Sequence, residues 1–226
     1  MGTTMKYMEL VEGIKNFENS FWFSEFIYFK ALEMLEEVRT NIAVLRTEEH
    51  VKQIIKIFLI QWGRMGRTVD RKDLNWELLT NQLRNSKEAF QKLHGKGLLD
   101  INLEDKEIEG AIKEAYNSVR VKYVGATAIS KILHLLNPEV FVMWDDSIRK
   151  KYKVAGSAIG YLEFLKKVKR ELEEALQEEA LKSGFSKKEI AERICTEYLS
   201  NKLGPEYNRK TLAKLIDEYN WWTVNR

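Results

Sequence analysis

The sequence predicts an all-α protein. Three observations carry this prediction. Apolar residues recur at three- and four-residue spacing through long stretches, strand-like alternation bounded by turns is scarce, and only Pro138 and Pro205 break a chain of 226 residues. That length is enough to bury a real core as one large domain or two small lobes. The reading is one all-α domain over 1–226, a two-lobed helical bundle with a cleft between the lobes.

In chain order, the periodicity predicts helices over 5–17, 21–39 and 48–65. The next are 86–94, 103–119 and 125–136, set off by the loops "GRTVDRKDLN" and "HGKGLLDIN". On 125–136, Ile129, Ile132, Leu133 and Leu136 share one face at core-stripe spacing, with Thr127, Ser130, Lys131 and His134 on the other side. Asn137-Pro138 reads as a stop. A short helix over 147–153 follows, with Asp146 as its expected N-cap. The long helix 158–183 ends at Gly184, which suits a left-handed C-terminal position. Its pairs Glu163–Lys167, Lys167–Glu171 and Arg170–Glu174 suggest a solvated face. Ser186 and Glu189 form a capping box opening 187–201. A last helix over 209–219 leads into "EYNWW", read as a strap packed on the core.

Composition narrows the function classes. Hydrophobic residues make up 44% and charged residues 31%, which describes a soluble globular chain rather than a disordered one. The net charge of +3 is too small to argue for nucleic acid by itself. Cys195 is the only cysteine, so neither an internal disulfide nor a cysteine zinc site can form, and it reads as a buried small hydrophobe. His50, His94 and His134 form no ligand motif. No metal or cofactor is expected. No apolar run approaches the roughly 20 residues that span a bilayer, and the expected location is the cytoplasm. Oligomeric state is not legible.

Charge is uneven along the chain. From Arg120 to Arg170 there are 11 Lys or Arg against four acids, and from Glu171 to Leu199 four bases against eight acids. The basic part surrounds "EVFVMWDDSIRKKY", where an apolar run, Val140–Trp144, ends in Asp145 and Asp146 before Arg149, Lys150 and Lys151. Val124-Gly125 sits where a tight turn feeds a helix whose N-terminal N–H groups can face a phosphate. "IQWGRMGR" ends the 48–65 helix and reads mainly as a helix terminus and loop, with Arg64 and Arg67 able to line a cleft.

"VKYVGATAISKIL" followed by "WDDSI" resembles the helix-hairpin-helix DNA glycosylase superfamily. That family carries a hairpin of the approximate form L-P-G-V-G-x-K-x-A, then a helix, a loop and V-D-T-H-V. The likeness covers about 30 residues closely. It implies DNA as partner and cleavage of the N-glycosidic bond of a damaged or mismatched base. It puts Asp145 at the family's catalytic aspartate, 18 residues after Thr127, which stands where the family has its lysine. Losing that lysine implies a monofunctional glycosylase without lyase action through position 127. Lys131, one helical turn on, offers an amine to the same cleft. Lys122 and Tyr123 replace the hairpin's Pro-Gly. Gly125, Thr127, Lys122, Arg149, Lys150 and Lys151 are the expected DNA contacts, and Trp144 is a candidate wall of the base pocket. The alternative is a helical DNA-binding or protein-interaction module that keeps the fold without catalysis.

Overall fold

The computed structural model describes residues 5–34, 48–65, 74–197 and 210–225. Helices account for its regular structure, and the described residues include no strand. In chain order the helices are α1 (Tyr7–Met34), α2 (Glu48–Ile57), α3 (Trp76–Asn85), α4 (Lys87–Leu93), α5 (Lys106–Ser118), α6 (Ala126–Leu136), α7 (Asp146–Tyr152), α8 (Ala158–Ser183), α9 (Lys187–Glu197) and α10 (Leu212–Val224). A π-helical turn, Phe58–Trp62, continues α2. Arg67 and the end of the expected 187–201 helix lie outside the described residues.

Buried side chains from α1 to α10 form one contiguous hydrophobic cluster. The chain's two ends meet in it, because α1 lies along α10. The expected helices 5–17 and 21–39 meet within α1 across a kink at Phe21, where φ/ψ is −129°/17°, and 35–39 lie outside the described residues. Helix α3 was not expected from the sequence. Asn75 caps it by accepting from the Leu78 N–H, and it buries Trp76, Leu79, Thr80 and Leu83. Only Ser86 separates it from α4, so two short helices stand where the pattern suggested one.

Several local expectations hold. Ser186 and Glu189 make the reciprocal capping box. Gly184 closes α8 in the left-handed region at φ 77°. Cys195 is buried. The solvated face expected on α8 is different. Lys166 reaches Glu104 and Glu109, Lys167 donates to the Tyr152 carbonyl, and Lys169 bonds the Leu98 and Leu99 carbonyls. These lysines tether neighbouring segments with charge-assisted hydrogen bonds, so they pair across the fold as well as along the helix.

Helix α6 is apolar around most of its circumference, as a helix packed on all sides must be. His134 and Ser130, expected on its outer side, are both fully buried. The Nδ1 of His134 donates to the Phe141 carbonyl at 2.6 Å, and its Nε2 pairs with the Tyr28 hydroxyl at 2.7 Å. Ser130 Oγ accepts from the Trp144 N–H at 3.1 Å and donates to that residue's carbonyl at 3.2 Å. Tyr161 donates to the Val142 carbonyl at 2.7 Å. An extended segment over 141–144 has no strand partner, and these three side chains satisfy its backbone in place of a ladder. They also fix where the segment ends, at Asp145.

Candidate active site

Asp145 ends that segment and begins α7. Its Oδ1 accepts the Ile148 N–H at 2.8 Å, so Asp145 is the N-cap. This corrects the expected division of labour between the two acids. Asp146 occupies the first helical position, is mostly exposed and pairs with Arg149. Capping holds the Asp145 carboxylate in one orientation, and a helix N-terminus is a favourable seat for negative charge.

Asp145 borders a cavity of about 150 Å³ that opens to solvent. Five parts of the chain build the wall. Helix α1 supplies Phe17 and Phe21, the π-helical turn supplies Trp62 with Gly63 and Arg64 behind it, and α6 supplies Lys131. The 141–144 segment and α7 supply Met143, Trp144 and Ile148, and α10 supplies Asp217 and Trp221. Phe21 and Trp221 meet edge to face with centroids 4.8 Å apart. Trp62 stacks on Phe58 at 4.9 Å.

Three backbone irregularities gather here. The α1 kink is at Phe21, the π-helical turn ends at Trp62, and Arg64 has φ 52°. Each departs from regular α-helix, and single π-turns are frequent at functional sites.

Lys131 lies at the cavity's centre of charge. Its Nζ donates to the Gly63 carbonyl at 3.0 Å and sits 5.2 Å from the Trp62 ring centroid. Burial lowers its pKa below the usual lysine value, against the attraction of Asp217 and then Asp145. Asp217 was missed by sequence reasoning. It is 7% exposed, and burial raises its carboxyl to about 7, against the attraction of Lys214 and Lys131.

Behind Asp217 lies a buried ion cluster, also unforeseen. Lys210 Nζ is 2.9 Å from Glu18, 3.1 Å from Glu25 and 2.7 Å from Glu218. Lys214 Nζ is 3.2 Å from Glu25 and 2.7 Å from Glu218. It also faces the Trp62 ring at 5.2 Å. A signal was present. Lys210, Lys214 and Glu218 recur every four residues, and Glu18 and Glu25 lie seven apart among apolar neighbours. Charges in core registers must pair.

The other expected contacts divide. Lys122 and Lys150 are exposed. Lys151 is held by α10, donating to Asn220 at 2.9 Å and Thr223 at 3.0 Å. Arg149 pairs with Asp146 and stands over the Trp144 ring. Lys151 is exposed as well, and the tie adds a structural role at that position.

Gly125 caps α6 with extended backbone, and a Cβ there would meet nothing within 4 Å. The left-handed residue of the turn is Tyr123, at φ 73°. No side chain caps α6, and Thr127 lies in its first turn with its carbonyl accepting from Ser130. Trp144 is 1% exposed, donates its indole N–H to the Ala126 carbonyl and packs edge-on to Tyr161. Its ring belongs to the core. Trp144 still borders the cavity, as expected, together with Trp62, Trp221, Phe17 and Phe21.

No protein-family model matches the chain, and none of the curated proteins or solved structures matches it. Among the described residues no helix is long and apolar enough to cross a membrane, and no group of His, Cys, Asp or Glu is arranged to hold a metal ion.

Proposed function

We propose that the protein is a base-excision glycosylase of the helix-hairpin-helix type, acting on a damaged or mismatched base in DNA. One observation carries this reading: Asp145 and Lys131 border one cavity whose wall also holds the aromatic residues Phe17, Phe21, Trp62, Trp144 and Trp221. N-glycosidic cleavage builds positive charge on the sugar, as glycoside hydrolysis does. A fixed carboxylate stabilises that charge or activates water. A flipped base needs flat apolar surfaces to replace its stack, and Phe21 and Trp221 are partly exposed aromatic residues of the wall that suit it. Outside the cavity, the exposed Lys122 and Lys150 and the uncapped start of α6 are the groups open to the DNA backbone.

The test uses duplexes carrying uracil, hypoxanthine, 8-oxoguanine, mismatches or alkylated purines. Wild type releases base from at least one, and Asp145→Asn loses on the order of 100-fold or more. Asparagine caps a helix as well as aspartate, so the variant's melting temperature stays within a few degrees of wild type. Base release as fast as wild type removes Asp145 from the reaction.

Borohydride tests Lys131. A covalent complex lost in Lys131→Ala places the amine on the sugar, whereas base release without a complex makes the reaction hydrolytic.

A second reading is a DNA-binding or protein-interaction module without catalysis. The ties of Lys151 to α10 and of Arg149 to Asp146 favour it, because they occupy part of the basic surface. Salt-dependent DNA binding with no base released from any duplex selects it.

A further inference from the structure

We infer that Asp217 is the general acid of this site, donating a proton to a neutral base as that base leaves. The inference rests on the glycosylase reading above and adds the partner that Asp145 needs and the class of base accepted.

The cavity holds two carboxylates on unrelated elements. Asp145 comes from the start of α7 and Asp217 from the middle of α10. Their surroundings differ. Asp145 Oδ1 accepts the Ile148 N–H, which fixes its orientation. Asp217 is 7% exposed, and no hydrogen bond from a described residue engages it. The charged and titratable groups around it include Lys214 and Glu218 on its own helix, Glu25 on α1, Lys131 on α6 and Tyr161 on α8, with Arg64 and Asp145 on the same cavity wall. Lys214 is held by Glu25 and Glu218. Lys131 gives its hydrogen bond to Gly63. Burial therefore dominates, and the carboxyl rises to about 7. A buried carboxyl that favours its protonated form, on the same cavity wall as a second carboxyl held as a helix cap, is placed to serve as the acid.

The step balances. The bond from C1′ to the base nitrogen breaks, and its electron pair leaves with the base. The Asp217 proton goes to the base. Water adds to C1′ and loses a proton to Asp145. Exchange with solvent restores both groups.

The same geometry sets the class of base. Lys131 already occupies a cation site over Trp62, and Lys214 stands over the same ring at an equal distance. A base carrying a full positive charge meets that field and has no use for a proton. A neutral base needs the proton to leave.

The experiment measures single-turnover base release from duplexes with uracil, hypoxanthine, 8-oxoguanine or N7-methylguanine, from pH 5 to 9. Wild type is expected to release a neutral base, with the rate falling above pH about 7. Asp217→Asn is expected to lose about 100-fold on that base, with the fall above pH 7 gone. Glu18→Gln is expected to keep that limb, since Glu18 also titrates near 7 but does not line the cavity.

Three results overturn the inference while leaving Asp145 in place: full activity of Asp217→Asn, a preserved limb in that variant, or wild-type release of N7-methylguanine alone. If Asp217→Asn melts early, the wild-type profile decides, and a neutral-base rate that stays flat from pH 7 to 9 overturns the inference. Absence of base release from every duplex, or full activity of Asp145→Asn, instead removes the glycosylase reading itself.

Discussion

Tyr123 is the residue whose chemistry and conformation disagree most. It stands where the resembled hairpin has glycine, and its φ of 73° lies in the region glycine enters freely. A non-glycine residue there costs roughly 1–3 kcal/mol. Its ring recovers part of that by lying against the Lys122 ammonium, 4.9 Å away. Tyr123→Gly should therefore leave stability unchanged or raise it by up to about 1 kcal/mol, whereas Tyr123→Val should lower it by about 1–2 kcal/mol, since branching at Cβ resists positive φ. Chemical denaturation of the three proteins measures this, and a Val variant as stable as wild type rules out strain at the turn. The adjacent acids show what a sequence discloses at this scale. "DDS" announces a helix start, but either aspartate can cap. The choice was made by the three side chains that anchor residues 141–144 and so decide which residue is the last extended one.

At the scale of elements, α6 was legible although apolar around most of its circumference, and α3 was missed although it has a polar side. Helix α8 matched its expected bounds because it combines an apolar stripe, Ser157 as N-cap and Gly184 as its stop. Helix α10 carries Lys214, Asp217 and Glu218 on buried positions. A pattern rule reads those residues as a solvated face, so the site's second carboxylate was hidden by its own pairing partners. Helix α7 is a parallel case. Its basic tract looked uniform, yet its side chains part ways: Lys150 faces solvent and Lys151 is tied to α10. Lys151→Ala should lower stability by about 1 kcal/mol, because its partners lie near the surface. Lys150→Ala should leave stability unchanged and, on the glycosylase reading, weaken DNA binding and reduce its salt slope by about one. Thermal melts and salt-titrated binding separate the two. Equal effects of both on binding would place Lys151 on the DNA surface as well.

At the scale of the whole molecule, the chain is closed by charge as much as by apolar packing. Two ammonium groups, Lys210 and Lys214, face three carboxylates, Glu18, Glu25 and Glu218, between α1 and α10, and Asp217 adds a fourth acid beside them. All four acids cannot stay ionised against two cations out of water. Burial raises Glu18 and Asp217 to about 7, while Glu25, although fully buried, is pulled down to about 2 by Lys210 and Lys214. The raised groups bind protons more tightly in the folded state. Their contribution is complete below the ordinary carboxyl range and is lost as pH rises through 7. The contribution of Glu25 has the opposite sign, complete above about 4.5 and lost as pH falls toward 2. Stability should therefore peak on the acid side of neutrality and decline from pH 5 to 8. Glu18→Gln with Asp217→Asn should flatten that decline, recovering roughly 1–3 kcal/mol at pH 8. Calorimetry at several pH values provides the measurement. An equally steep decline in the double variant would show that these two carboxyls do not set it. On the glycosylase reading, Asp217 holds one of these two protons at the cavity, so the activity limb and the upper end of the stability decline, both near pH 7, should move together when Lys214 is replaced by arginine.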